Sequence, residues 1–162
     1  MANFVTVANI DDLRAMAKRV LPRHLFDFID GAAFREVTRN DNLRALGEIR
    51  FRQRTLRDVS RVSISTSLLG QPATMPVAIA PTGISGIFAG GARGEILAAR
   101  AAARAGIPYT LGMMALSSLD DICAVAPPPW FQLCMLRDRE LVAALVRKAE
   151  QAGCPALVLT TT

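Results

Sequence analysis

The sequence predicts an α/β fold: a parallel sheet curling into the first half of a (β/α)8 barrel, behind a helical lead-in and a β-hairpin. Three observations predict it. From Met75 onward a unit repeats, in which a short apolar run is followed by a loop, an Ala- or Leu-rich helical stretch and another apolar run. Strands alternating with helices at this spacing make βαβ units and a parallel sheet, and right-handed crossovers put the helices on one side of a sheet that curls. The last strand ends two residues before Thr162, whereas a parallel strand needs neighbours on both edges and cover on both faces. The chain has 162 residues, and a whole barrel takes about 250.

The elements follow in order. Asn9 or Asp11 can cap a first helix whose apolar side is Leu13, Met16, Ala17 and Val20. Pro22 suits the first turn of a second helix, with Leu25, Phe26, Phe28 and Ile29 as its buried side. Gly31 ends that helix, since glycine takes left-handed dihedrals cheaply. A third helix is expected over 37–46. Residues 51–66 read as extended, with Arg50, Arg52 and Arg54 alternating to one side. Leu69-Gly70-Gln71-Pro72 marks a turn between two short strands. The barrel strands are expected at 76–80, 108–111, 130–135 and 156–160, and the helices at about 93–105, 117–125 and 139–152. Two domains are expected: 1–74, the helical segment and hairpin, and 75–162, the half-barrel.

Composition narrows the function. The chain is 51% apolar and 20% charged, which fits a globular core and not a disordered tail. Seventeen of its nineteen cations are Arg and the net charge is +5, which allows anions as ligands. Aromatics are only 6% and none interleave with the arginines at 50, 52, 54, 57 and 61 beyond Phe51. A solvated face is therefore preferred there, and no nucleic-acid partner is expected. Cys123, Cys134 and Cys154 are odd in number and lack a CxxC spacing, so neither a disulfide framework nor a metal site is expected. A reduced, intracellular setting fits. The uncharged stretch 75–92 is broken by Pro76, Pro81, Gly83, Gly86, Gly90 and Gly91, so it reads as strand and loop and not as a membrane span.

The chemistry-bearing residues sit at expected strand ends, where ligands bind in such folds. Pro81-Thr82-Gly83 follows the first strand, and Gly83 lets the backbone approach a flat ligand; an ordinary βα loop is the alternative. The glycines of GISGIFAGGARG contain no Gly-x-Gly, so a dinucleotide fingerprint is not expected. In Trp130-Phe131-Gln132-Leu133-Cys134-Met135, period-two alternation sends Gln132 away from the all-apolar side and into the barrel. A buried amide needs partners, from a polar cofactor edge or from neighbouring strands. Thr160 offers a hydroxyl at the last strand end. His24, the only histidine, reads as a surface residue.

The stretches LPRHLFDFIDGAA, RFRQRTLRDVS, MPVAIAPTG, RGEILAARAAARAGIPYTL, WFQLCMLRDRE and AGCPALVLT together resemble the FMN-dependent α-hydroxy-acid dehydrogenases and oxidases, such as glycolate oxidase, quinone-linked L-lactate dehydrogenase and mandelate dehydrogenase. That family is a TIM barrel preceded by helices and a hairpin at the barrel bottom. The resemblance implies FMN as cofactor, a small 2-hydroxy acid as substrate and a quinone or oxygen as electron acceptor. It implies that Pro81, Thr82 and Gly83 lie against the flavin and that Gln132 and Thr160 hydrogen-bond its edge. Gly112 matches a position where relatives often have Ser. Phe28 and Cys134 stand where relatives have tyrosines of the substrate pocket, and Thr162 where they have an Asp. In relatives the His base, the Lys near the flavin, the Arg that grips the carboxylate and the FMN phosphate loop all come later than position 162. No catalytic residue is therefore assigned in this chain, and inactivity of the chain alone is expected. A non-catalytic half-barrel is the alternative. The expected assembly is a homo-oligomer or a pairing with a missing C-terminal half. The expected location is cytoplasmic or peripheral at the inner membrane face.

Overall fold

The computed structural model describes residues 7–89, 91 and 93–161. Its chain forms two compact units, Met1–Val59 and Ser60–Thr162.

The first unit holds α1 (Ile10–Val20), α2 (Arg23–Asp30) and α3 (Val37–Glu48). Asn9 caps α1 in a reciprocal box with Asp12, satisfying amides that a helix start leaves open. Arg14 grips the Asp30 carboxylate with two donors, tying α1 to the end of α2, and Lys18 lies 5.9 Å from the Phe26 ring centroid. Phe26 is the buried residue of α2. The expectation that Phe28 and Ile29 share its burial is corrected, since both are exposed. Gly31 is also corrected: its backbone is extended, at φ −81°. Glycine is required there for a different reason, because a Cβ would stand 2.8 Å from the Asp27 carbonyl oxygen. Residues 51–65 contain no strand. Their alternation found no ladder partner among the described residues, and alternation without pairing does not hold a strand.

In the second unit β1 (Thr66–Leu68) and β2 (Gln71–Ala73) form an antiparallel hairpin. Leu69 and Gly70 make its two-residue turn, at φ +48° and +79°, the mirror-image turn that matches strand twist. The Trp130 indole donates to Gln71 Oε1 at 2.6 Å, and Thr74 donates to the Ala105 carbonyl at 2.6 Å. These bonds join the hairpin to the elements after it, and the hairpin lies in the second compact unit, Ser60–Thr162.

The main sheet is parallel, in the order β3 (Thr110–Gly112), β4 (Trp130–Cys134), β5 (Leu157–Thr160). The expected strand at 76–80 shrinks to one parallel bridge, Ile79 to Tyr109, on the outer side of β3. Pro76, Pro81 and Pro108 carry no amide hydrogen, so few ladder bonds can form there. Between the strands run α4 (Gly94–Ala105), α5 (Leu119–Cys123) and α6 (Arg139–Gln151). Ser118 with Asp121 caps α5, and Asp138 caps α6. Ala99, Leu119, Ile122 and Ala149 of these helices meet Leu111, Phe131 and Leu133 of the strands in one core. No helix of the described residues is long and apolar enough to cross a membrane.

Candidate functional site

Parallel pairing brings the carboxyl ends of β3, β4 and β5 to one rim of the second unit. Pro81-Thr82-Gly83 follow the Ile79 bridge, Gly112 ends β3, Cys134 ends β4 and Thr160 ends β5. Gly112 lies beside Gln132 and Cys134 beside Thr160 in the ladder.

Phe131 and Leu133 are committed to the helix-covered core, so Gln132 between them faces the opposite side. Gln132 is only 7% exposed. Its Oε1 accepts from the Met113 amide at 3.2 Å, and its Nε2 donates to Thr160 Oγ1 at 2.8 Å and to Cys134 Sγ at 3.1 Å. Three strands are thus tied at one side chain. Gly112 packs beside it: a Cβ there would be in ordinary contact, 3.5 Å from the Thr82 carbonyl oxygen and 3.6 Å from Gln132 Oε1. Gly83 packs so closely that its Cβ would be 3.3 Å from the Met114 Cβ. The Ile84 amide donates to the Met114 carbonyl at 2.9 Å, holding the first two βα loops together.

Six of the expected site residues, Pro81, Thr82, Gly83, Gly112, Gln132 and Thr160, therefore share this rim, with Cys134 among them. Phe28 belongs to α2 of the first unit, where it is 66% exposed. His24 is exposed on the same helix. Thr162 lies outside the described residues. No group of His, Cys, Asp and Glu among the described residues could hold a metal ion.

Sequence reasoning missed Glu95. It has no solvent exposure. Its Oε1 accepts from the Gly86 amide at 3.0 Å and the Leu116 amide at 3.2 Å, and its Oε2 from the Ser117 hydroxyl at 3.4 Å. Burial pushes this carboxyl up, but the amides of Glu95, Leu116 and Gly86 and the Ser85 hydroxyl outweigh it and hold the group below its ordinary value. The Tyr109 phenol is pushed up to about 12, by burial and then by the Glu95 charge. A signal for Glu95 was present: it shares one helix face with Ala99 and Ala102 at i+4 and i+7, an acid in an apolar stripe.

Residues 17–161 match the family model described as FMN-dependent dehydrogenase. The chain belongs to that family. It is 47% identical over 155 residues to an L-lactate dehydrogenase of Caulobacter sp. (strain K31), covering 95% of this chain and 40% of the relative. An L-lactate dehydrogenase of Acinetobacter baumannii (strain AYE) is 43% identical over the same length, with the same coverage. A solved mandelate oxidase superposes with a TM-score of 0.89 at 40% identity, over 95% of this chain and 44% of that one. Another mandelate oxidase, a variant solved with a monooxide FMN adduct, gives 0.85 at 40% identity, over 91% and 46%. The chain spans about two-fifths of the length of the curated relatives it matches. The parallel strands are accordingly part of the family's TIM barrel, and the family's cofactor is FMN.

The rim fits such a group. A carbonyl oxygen has two lone pairs and Gln132 Oε1 gives one to Met113, so one remains. The Thr160 hydroxyl, having accepted from Gln132, retains its own hydrogen to donate. An acceptor beside a donor is what the alternating N–H and C=O edge of an isoalloxazine requires.

Proposed function

We propose that this chain supplies the flavin-facing wall of an enzyme that oxidises a 2-hydroxy acid of the lactate, glycolate or mandelate type to the 2-keto acid. The observation that carries the reading is the Gln132–Thr160 hydrogen bond at the carboxyl ends of parallel strands, 2.8 Å long and tied to Met113. When bound, FMN supplies a two-electron acceptor for the hydrogen on the substrate's α-carbon. Gln132 and Thr160 orient its edge, and the backbone of Pro81, Thr82 and Gly83 backs its ring. Cys134 lines the substrate side from the end of β4. It has no phenol hydroxyl, so it forgoes the bond a tyrosine would offer there, worth about 1.5–3 kcal/mol where the acceptor is a charged carboxylate. A quinone or oxygen takes the electrons. The work is cytoplasmic or at the inner membrane face, in a homo-oligomer or with a complementary half-barrel.

The second unit contains no histidine, since His24 lies in the first, and no other side chain on the rim is a base suited to neutral pH. The chain alone is therefore expected to bind FMN without turning over substrate. Reconstitution with FMN followed by anaerobic addition of lactate, glycolate or mandelate tests both parts. A yellow protein whose flavin stays oxidised is expected. Flavin bleaching by any of the three acids would refute the inactivity, and a colourless protein would refute the binding. Gln132 finds all its present partners within the protein, which favours a second reading, a non-catalytic half-barrel; a colourless, self-associating chain is its outcome.

A further inference from the structure

Glu95 lies outside the rim, yet it is the most completely buried ionisable group among the described residues. A buried carboxylate is costly unless its lone pairs are filled. The donors that fill them come from two different loops: Gly86 from the one that carries Pro81-Thr82-Gly83, and Leu116 and Ser117 from the one that follows Gly112. The helix start is shaped to receive the first loop, since a Cβ on Gly94 would stand 2.4 Å from the Ser85 carbonyl oxygen. Beyond the clamp, Ile84 bonds Met114, and Met113 bonds Gln132, which bonds Thr160. One continuous set of contacts therefore runs from the Glu95 carboxylate to the rim.

We infer that Glu95 is a positioning residue for the flavin face: by clamping two βα loops together it fixes the backbone of Gly83 and Gly112, against which the ring would lie. This rests on the FMN reading above. A group that served stability alone would have no reason to draw donors from both loops that border the ring and none from the sheet.

The test titrates FMN into the full chain and its E95Q, E95A and E95D variants, with I122V as a core control that makes no bond to Glu95. Amide exchange at Gly86 and Leu116 and the thermal midpoint are read alongside. Loss of three charged hydrogen bonds in E95A is expected to weaken FMN by about tenfold or more and to speed exchange at both amides by a similar factor. E95Q is expected to stay within about threefold of wild type, because its carbonyl oxygen still accepts both amides and its NH2 can donate to Ser117 Oγ. I122V is expected to lower the midpoint with FMN affinity unchanged. If E95A does not fold, E95D, one methylene short of both loops, must show the weakening with its fold retained. A wild type that takes up no FMN overturns the flavin reading itself. A wild type that binds FMN beside an E95A or E95D of equal affinity overturns only the assignment to Glu95, as does equal weakening in I122V at an equal loss of midpoint.

Discussion

The Gln132 amide donates to the Thr160 hydroxyl at 2.8 Å, joining β4 to β5 on the face turned away from the helices. Because Gln132 is buried, replacing it strands partners as well as removing bonds. Gln132→Leu leaves the Met113 amide without its acceptor and is expected to cost about 1–3 kcal/mol in urea unfolding. Thr160→Val removes one acceptor for an amide that keeps its bond to Cys134, and about 0.5–1.5 kcal/mol is expected. The double variant is expected to cost less than the sum, since both changes delete the same bond. Strict additivity would mean that the two side chains do not interact in solution.

The face on which Gln132 lies was legible because period-two alternation needs no partner to be known: Phe131 and Leu133 had to go to the helices. The stretch expected to be extended at 51–66 pairs only from Thr66, where β1 begins, since alternation there says which side arginines take and nothing about what edge they pair with. Phe28 was assigned to a buried side from helical spacing, but an eight-residue helix buries only the residue its neighbour helix meets, which is Phe26. The strand at 76–80 was read from its apolar run, and its flanking prolines reduced it to one bridge. Glu95 was missed because composition treats an acid in a helix as solvent-facing; only its register with Ala99 and Ala102 speaks against that.

Glu95 also sets a pH dependence. Its folded-state value lies below the ordinary 4.5, so the folded chain binds its proton less readily than the unfolded one. The stability it contributes is fully present above the unfolded value and is lost as pH falls through the folded one. Urea midpoints measured from pH 7 down through the carboxylate range are expected to fall more steeply for wild type than for E95Q, which has no proton to take up. Parallel curves for the two would show that folding does not shift the Glu95 carboxyl from its unfolded value.

Burial pushes the Cys154 thiol up to about 11, with a further push from Cys123, and pushes Cys123 up as well, helped by Asp120. The thiolate is the reactive form. At pH 8 a thiol at about 11 holds roughly a hundredfold less thiolate than one at the ordinary 9. Alkylation of the native chain by iodoacetamide, followed by peptide mapping, is expected to leave Cys154 unlabelled long after a denatured control is complete. Rapid native labelling at Cys154 would place that thiol in solvent.

Two helical glycines are expected to respond to alanine in opposite directions. Gly47, inside α3, would gain a Cβ with nothing within 4 Å; Gly47→Ala removes backbone freedom from the unfolded chain and is expected to stabilise the first unit by about 0.5–1 kcal/mol. Gly94 opens α4 with its Cβ position 2.4 Å from the Ser85 carbonyl oxygen and 3.1 Å from the Gly86 amide nitrogen. Those atoms are backbone, and the Gly86 amide is already committed to Glu95 at 3.0 Å, so the loop cannot withdraw without breaking that bond. Gly94→Ala is therefore expected to destabilise the second unit by about 2 kcal/mol or more. It is also expected to speed exchange at Gly86 while leaving α6 protected. Guanidinium unfolding followed by exchange at single amides separates the two units. A Gly94→Ala chain as stable as wild type would mean that the Ser85–Gly86 turn does not sit against the start of α4.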